Sequence, residues 1–349
     1  MGQSITAAPD SHRNSAKNWG GQVILAGDVG GTKCNLALFS EYEGKLTTVF
    51  RQRFASKEFA HFDLIVKEFS RQAATHLSSD RVVAAGFGVA GPVIDNHVRA
   101  TNLPWTVDAR TLEKELGVDN VVLMNDLGAS GHSIEHLLAD EFCVLNPGKP
   151  ERGGTRALIA AGTGLGQSIM FWDGTRYRIV PSEGGHSDFA PHTDQQIELL
   201  RFMRRRYPQV SFELILSGRG FRTIHEFLAP SVRHHSFEDP DADPAPEITQ
   251  YGLAKTCPVC VETLDLWTSI YGAEAGNLAL KVLALGGVYV AGGIAVKIIE
   301  KMKDGRFFNA FRDKWKFENL LSNIPVSVVL NESAPLLGAA YEALASQHR

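Results

Sequence analysis

The sequence predicts an α/β fold, and three observations carry that prediction. Apolar runs of strand length alternate with stretches of helical periodicity. A strand, a glycine turn and a returning strand occur twice, at residues 23–39 and 158–172. Glycine is also in excess, with 33 residues where average usage of about 7% gives roughly 24. The chain has 349 residues, 44% of them hydrophobic and 21% charged, which is the profile of a soluble globular protein. At about 150 residues per domain it has room for roughly two domains.

The elements follow in order. Residues 1–21 are polar and lack the apolar core of a signal peptide, so they are expected to be a disordered lead-in. Residues 23–27 read as a buried strand, Gly30-Gly31-Thr32-Lys33 as a turn, and 35–39 as the returning strand. An amphipathic helix is expected at 62–77 and a strand at 82–85 that ends in Gly86-Phe87-Gly88. Residues 92–101, with Asp95-Asn96 in the middle, look like a β-hairpin. The strand at 121–124 carries Asn125-Asp126 at its C-terminal end. Residues 158–161 run into Gly162-Thr163-Gly164-Leu165-Gly166, and 168–172 pair back across them. The span 231–246, rich in His, Asp and Pro, reads as a surface loop; 257–285 is helical; 288–291 is a strand leading into Gly292-Gly293; a last helix covers 336–346.

Composition excludes several classes of function. Thirty-five Lys and Arg against 39 Asp and Glu leave a net charge of -4, with no basic field for nucleic acid. The basic run at 201–206 continues a helical pattern and reads as a solvated helix face. The longest apolar tract, 282–296, carries four glycines and is too short to cross a membrane. Four cysteines make no disulfide framework, which points to a reducing, cytoplasmic setting. Cys257-Pro258-Val259-Cys260 is a lone CxxC without a closely spaced second pair, so it reads as structural rather than metal-binding.

Two familiar phosphate motifs fail on context. Lys33 follows Thr32 in a turn that leads into a strand rather than the helix of a P-loop. Gly86-Phe87-Gly88-Val89-Ala90-Gly91 matches GxGxxG, but Pro92 and the hairpin follow where a dinucleotide fold opens a helix. What remains is a pair of glycine turns, each with a threonine, whose bare amides can approach phosphate oxygens from two sides. Asp28, just before the first turn, is placed to hold Mg²⁺ directly or through water. Taken alone, each turn also fits a plain glycine hairpin, Asn125-Asp126 also fits a helix N-cap, and Glu183 and His186 also fit the solvated residues of a turn, readings that lose ground when the segments are taken together.

Taken together, the segments resemble the bacterial-type glucokinase family, within the hexokinase and actin-like ATPase superfamily. The resemblance rests on Gly27-Asp28-Val29-Gly30-Gly31-Thr32, Gly88-Val89-Ala90-Gly91-Pro92-Val93, Asn125-Asp126-Leu127, Ala161-Gly162-Thr163-Gly164-Leu165-Gly166, Glu183-Gly184-Gly185-His186, Ser217-Gly218-Arg219-Gly220 and Ala291-Gly292-Gly293-Ile294, in the family's order. It implies two ribonuclease-H-like domains with a cleft between them: a small one from 22–136 plus 329–349 and a large one from 137–328. It implies ATP-dependent phosphorylation of the D-glucose 6-hydroxyl, feeding glycolysis, with Mg²⁺ as cofactor, in a homodimer. Asp126 falls on the catalytic base. Asn125, Asp126, Glu183, His186, Glu213 and, in a stretch near the sugar pocket, Asn102 fall on the sugar side. Asp28, Gly30, Gly31, Thr32, Lys33, Gly162, Thr163 and Gly164 fall on the phosphate side, and Gly292 and Gly293 on the adenosine side. Arg219 stands where many relatives have Pro, and Lys33 where they often have Asn. A lysine at that place also occurs in the ROK sugar kinases, whose cysteine-rich motif is missing here. Alternatives on the same fold are a kinase for another hexose or amino sugar, a non-catalytic sugar sensor and a polymerising ATPase.

The chemistry agrees with this resemblance. A sugar pocket needs groups that accept and donate, which carboxylates, amides and imidazole supply. Phosphoryl transfer needs an acceptor for the hydroxyl proton and neutralisation of phosphate charge.

Overall fold

The computed structural model describes residues 22–77, 81–100, 103–237 and 243–347. The expected lead-in at 1–21 and Asn102 lie outside the described residues.

In the first half, β1 (Val23–Val29), β2 (Lys33–Tyr42) and β3 (Lys45–Ala55) form an antiparallel meander. Helix α1 (Phe62–Leu77) buries Phe62, Ile65, Val66, Phe69 and Ala73, one stripe at helical spacing, and leads to β4 (Val82–Val89), parallel to β1. β5 (Val93–Ile94) and β6 (His97–Arg99) make the expected hairpin around Asp95 (φ 50°) and Asn96 (φ 61°), and β7 (Thr106–Asp108) adds a third strand. No helix follows Gly91, so the dinucleotide reading is excluded by the fold itself. Helix α2 (Ala109–Leu116) starts at the Asp108 carboxylate, which accepts the Thr111 N–H, and ends at left-handed Gly117. β8 (Val121–Asn125) then passes without a linker into α3 (Asp126–Ser133).

The second half repeats the plan with a larger helical insertion. β9 (Phe142–Asn146), β10 (Arg156–Ala161), β11 (Leu165–Trp172) and β12 (Tyr177–Ser182) precede α4 (Asp194–Met203), α5 (Phe212–Ile215), α6 (Gly218–Leu228), α7 (Ala245–Leu253) and α8 (Pro258–Val282). β13 (Gly287–Ala291), α9 (Gly293–Lys297), α10 (Ile299–Met302), α11 (Arg306–Arg312), α12 (Glu318–Ser322), β14 (Val326–Val329) and α13 (Ala334–Ser346) complete the chain. The sheets run β3-β2-β1-β4-β8 and β12-β11-β10-β13-β14-β9. In both, a hairpin pairs antiparallel and its first strand pairs parallel with a later strand, so the doubled unit seen in the sequence is doubled in topology.

Burial shows where the halves meet. One core lies under the second sheet and its helices, and two line opposite faces of the first sheet. A fourth joins Ile134 and Leu127 to Leu158, Met170, Tyr177, Val329 and Ala334. Helix α13 returns to the first sheet, packing on β1, β4 and α3, while α3 also touches β11 and β12. At the α3–α13 crossing, a Cβ on Gly338 would overlap the carbonyl of Ala129. Gly338→Ala is therefore expected to destabilise the protein by about 1–3 kcal/mol in urea unfolding, the range of core overpacking. Gly128→Ala in α3, where the nearest atom to a new Cβ is 3.9 Å away, is expected to be neutral or stabilising by up to about 1 kcal/mol.

Candidate active site

The first glycine turn joins β1 to β2. Gly30 N–H donates to the Lys33 carbonyl (3.0 Å), while Ser56, just past β3, donates from Oγ to the Gly30 carbonyl (2.7 Å) and from N to that of Thr32 (3.1 Å). Gly31 is half-buried, and the Thr32 and Lys33 side chains are exposed. Asp28, next to last in β1, accepts through Oδ2 from Asn35 Nδ2 at 3.1 Å, and Arg53 Nε donates to Asn35 Oδ1 at 2.9 Å. Burial dominates over that hydrogen bond and raises the Asp28 pKa, and the nearby Asp126 carboxylate raises it further.

The second turn joins β10 to β11 and is closed by Gly162 N–H donating to Gly164 O at 2.8 Å. Gly218 N–H, at the start of α6, donates to Gly162 O at 3.0 Å. Gly292, with φ 88°, lies so close to Ala161 O that a Cβ would overlap it, whereas new Cβ atoms on Gly162 and Gly293 would meet nothing within 4 Å. The structure thus gathers the second glycine turn, the start of α6 and Gly292-Gly293 at one place, with open space before them.

Between the two turns runs a row of polar side chains. Asn125 caps α3, its Oδ1 accepting from Leu127 N (2.9 Å) while Nδ2 donates to Gly91 O (3.2 Å). The N-cap reading of this pair is therefore realised by Asn125, and Asp126 is left on the first helical residue with its Oδ1 also accepting from Leu127 N at 2.9 Å. Burial is the leading influence on Asp126 and raises its pKa; backbone hydrogen bonds lower it, and the charge of Glu183 raises it. Glu183 Oε2 lies 4.0 Å from His186 Nε2, and His186 Nδ1 lies 3.9 Å from Glu213 Oε1. The Glu183 and His186 side chains are 78% and 61% exposed, as solvated turn residues are, and face open space. The other oxygen of Glu213, Oε2, accepts from Leu165 N at 3.0 Å, directly under Gly164. Asp28, Asp126, Glu183, His186 and Glu213 form one chain of neighbours whose two ends reach the two glycine turns.

This arrangement accompanies a clear kinship. A family model for glucokinase matches residues 25–346. The chain belongs to the glucokinase family. A glucokinase of Synechocystis sp. is 39% identical over 345 residues, covering 92% of this chain and 97% of its own length. The crystal structure of a glucokinase from an Antarctic psychrotroph superposes with a TM-score of 0.81 at 26% identity, over 93% of this chain and 99% of that one. A ROK family glucokinase from Streptomyces griseus, solved with glucose and AMPPNP, shares the fold at 21% identity and a TM-score of 0.62, over 93% of this chain and 99% of that one.

Sequence reasoning missed a layer beneath the turn that carries Glu183. Glu274, fully buried in α8, accepts from Gln167 Nε2 (2.8 Å) and Asn277 Nδ2 (3.0 Å), and Gln167 packs against Gly184. The available signal was a glutamate inside the apolar stripe of α8, between Tyr271 and Leu278. Glu274→Leu would leave the buried Gln167 amide unpaired and is expected to cost about 1–3 kcal/mol in urea unfolding. Burial raises the Glu274 pKa above the ordinary 4.5, so the folded state takes up its proton first as pH falls. Its contribution to stability grows toward acid pH and fades as pH rises through the folded value. The Leu variant should lose that part of the pH dependence.

Proposed function

We propose that this chain is a glucokinase that transfers the γ-phosphoryl group of ATP to the 6-hydroxyl of D-glucose. The observation that carries the proposal is the row from Asp28 to Glu213, which ends on a glycine turn at each side. In this reading Asn125, Glu183, His186 and Glu213 bind the sugar hydroxyls, and Asn102 joins them on the family resemblance alone. The Asp126 carboxylate accepts the O6 proton as O6 bonds to the γ-phosphorus, and the bond from that phosphorus to the bridging oxygen breaks to release ADP. Amides of Gly30, Gly31 and Thr32, the Lys33 side chain, and Gly162, Thr163 and Gly164 hold phosphate oxygens. Gly292 and Gly293, with no side chains to intrude, flank the adenosine.

The residues fit a divalent cation. Asp28 and Asp126 are desolvated carboxylates close enough for the charge on Asp126 to raise the Asp28 pKa, a repulsion that a cation relieves. Asp28 would hold Mg²⁺, directly or through water, and Mg²⁺ when bound would neutralise phosphate charge. Asn35 and Arg53 keep the Asp28 oxygen oriented.

The same reading divides the chain into a small domain, 22–136 with 329–349, and a large domain, 137–328, with the cleft between them. Separate cores under the two sheets and the return of α13 to the first sheet support that division. Four free cysteines support a cytoplasmic location, and no helix among the described residues is long and apolar enough to cross a membrane. The homodimer follows from the family resemblance and is read by sedimentation velocity.

Asp126→Ala is expected to lower kcat by ~10²- to 10⁴-fold in a coupled ADP-release assay, with glucose binding retained by calorimetry. Near-normal turnover would remove Asp126 from its role, and a panel of mannose, fructose and amino sugars in the same assay tests the choice of glucose. A second outcome concerns pH. The base must be ionised, so kcat/KM should fall on the acid side at a pH above the ordinary aspartate value of 3.8. Because the charge of Glu183 raises the Asp126 pKa, Glu183→Gln should move that acid limb to lower pH. An unmoved limb separates the two carboxylates.

A further inference from the structure

The CxxC at the start of α8 has partners that spacing in the sequence conceals. Cys257 is the N-cap residue of α8 and half-buried; Cys260, one turn in, is fully buried. Three residues apart across the first turn, the two cysteines stand on one side of the helix start. His234, in the segment after α6, sets Nε2 at 3.1 Å from Cys260 Sγ. His225, near the C-terminal end of α6, is fully buried, and neither of its ring nitrogens has a hydrogen-bond partner. One ligand-type atom from each of His225, His234 and Cys260 lies within 4.8 Å of the others.

The surroundings are apolar on two sides. Phe237 lies 4.9 Å from the His225 ring and Tyr251 4.8 Å from the His234 ring, centroid to centroid. A structural histidine–cysteine hydrogen bond accounts for His234 and Cys260. It leaves His225 unexplained, since a buried imidazole with both nitrogens unmet is costly and rare.

We propose that His225, His234, Cys257 and Cys260 bind one Zn²⁺ ion in a tetrahedral structural site. Two imidazole nitrogens and two thiolates form a closed donor set for zinc, whereas Mg²⁺ and Ca²⁺ take oxygen ligands. Zinc bonds of about 2.0–2.3 Å require ligand atoms roughly 3.3–3.8 Å apart, so movements of about 1 Å bring His225, His234 and Cys260 to that spacing, and Cys257, three residues before Cys260, is the fourth ligand. Each thiol loses its proton to solvent as it binds, and each histidine binds through a neutral ring nitrogen. The ion ties together the end of α6, the segment before α7 and the start of α8. Since α6 begins at Gly218, which donates to the second glycine turn, this cross-link steadies the helix against which that turn rests. The ion takes no part in phosphoryl transfer, and its ligands are separate from Asp28.

The test uses the full chain, purified without chelators. Mass spectrometry of the metal content is expected to find about one zinc per chain. Titrating Co²⁺ into chelator-treated, metal-free protein should give a thiolate-to-cobalt charge-transfer band and the visible absorption of a tetrahedral ion. Cys260→Ser and His234→Gln should each lose the bound zinc and lower Tm, while Cys34→Ser, at a buried cysteine elsewhere, should retain it. His234→Gln is the second variant in case Cys260→Ser does not fold, with circular dichroism as the check. Folded wild-type protein that carries no zinc and gives no cobalt charge-transfer band overturns the proposal. Unchanged zinc content in both variants overturns it equally.

Discussion

The candidate site depends on how α3 is seated. Asp126 follows β8 with no intervening residue, so its carboxylate can be only as well placed as the helix it begins. That helix is held on three sides by close backbone approach. A Cβ on Gly338 would overlap Ala129 O, one on Gly88 would lie 2.8 Å from Ala129 Cβ, and one on Gly166 would lie 2.6 Å from Leu127 Cδ2. Interiors at crystal-like density do not yield to such intrusions. The glycine excess therefore has two separate causes: some glycines, such as Gly162 and Gly293, border open space, and others leave room for α3.

Around that helix the electrostatics run against stability. Asp126 receives a backbone N–H and stands at a helix N-terminus, both of which favour the carboxylate. Burial is the larger influence, and the neighbouring Glu183 adds to it. Asp28 shows the same order of causes, with Asp126 as its like-charged neighbour. A pair of poorly solvated, like-charged acids is an arrangement typical of a functional site, where a ligand can supply the missing positive charge or donors. The Glu213 carboxylate closes the row by facing His186 with one oxygen and accepting from Leu165 N, beside the second glycine turn, with the other.

Much of this was legible in the sequence, and the omissions share a physical reason. Buried strands such as β1, β4, β10 and β13 announce themselves as apolar runs, and α1 by its stripe. β3 does not, because it is an edge strand whose Lys45, Thr47, Thr48, Arg51 and Gln52 face solvent or are only partly covered. β9 and β12 are half-exposed edge strands and escaped for the same cause, whereas β14 is buried but only four residues long. The loop expected at 231–246 is cut short by α7, which opens at Ala245. Every site residue that the motifs singled out and that lies among the described residues falls on one of the two glycine turns, in the row between them or at Gly292-Gly293. What could not be read were groups whose partners are remote in the chain: Glu274 with Gln167, or Ser56 with the first turn.

The last helix bears on how the molecule comes into being. Ile24, Ala26 and Ala37 on one face of the first sheet share their core with Leu336, Ala339, Ala340 and Ala343 of α13. On a ribosome, that face waits uncovered until nearly the whole chain has been made. Contacts spanning some three hundred residues close late and slowly, and the uncovered sheet meanwhile exposes apolar surface. The second half, whose core includes no residue of α13, can fold first and offer β11 and β12 as the surface on which α3 settles. The lobe made first is thus completed last, and a chain cut short before residue 334 would carry a finished second sheet beside an unfinished first one.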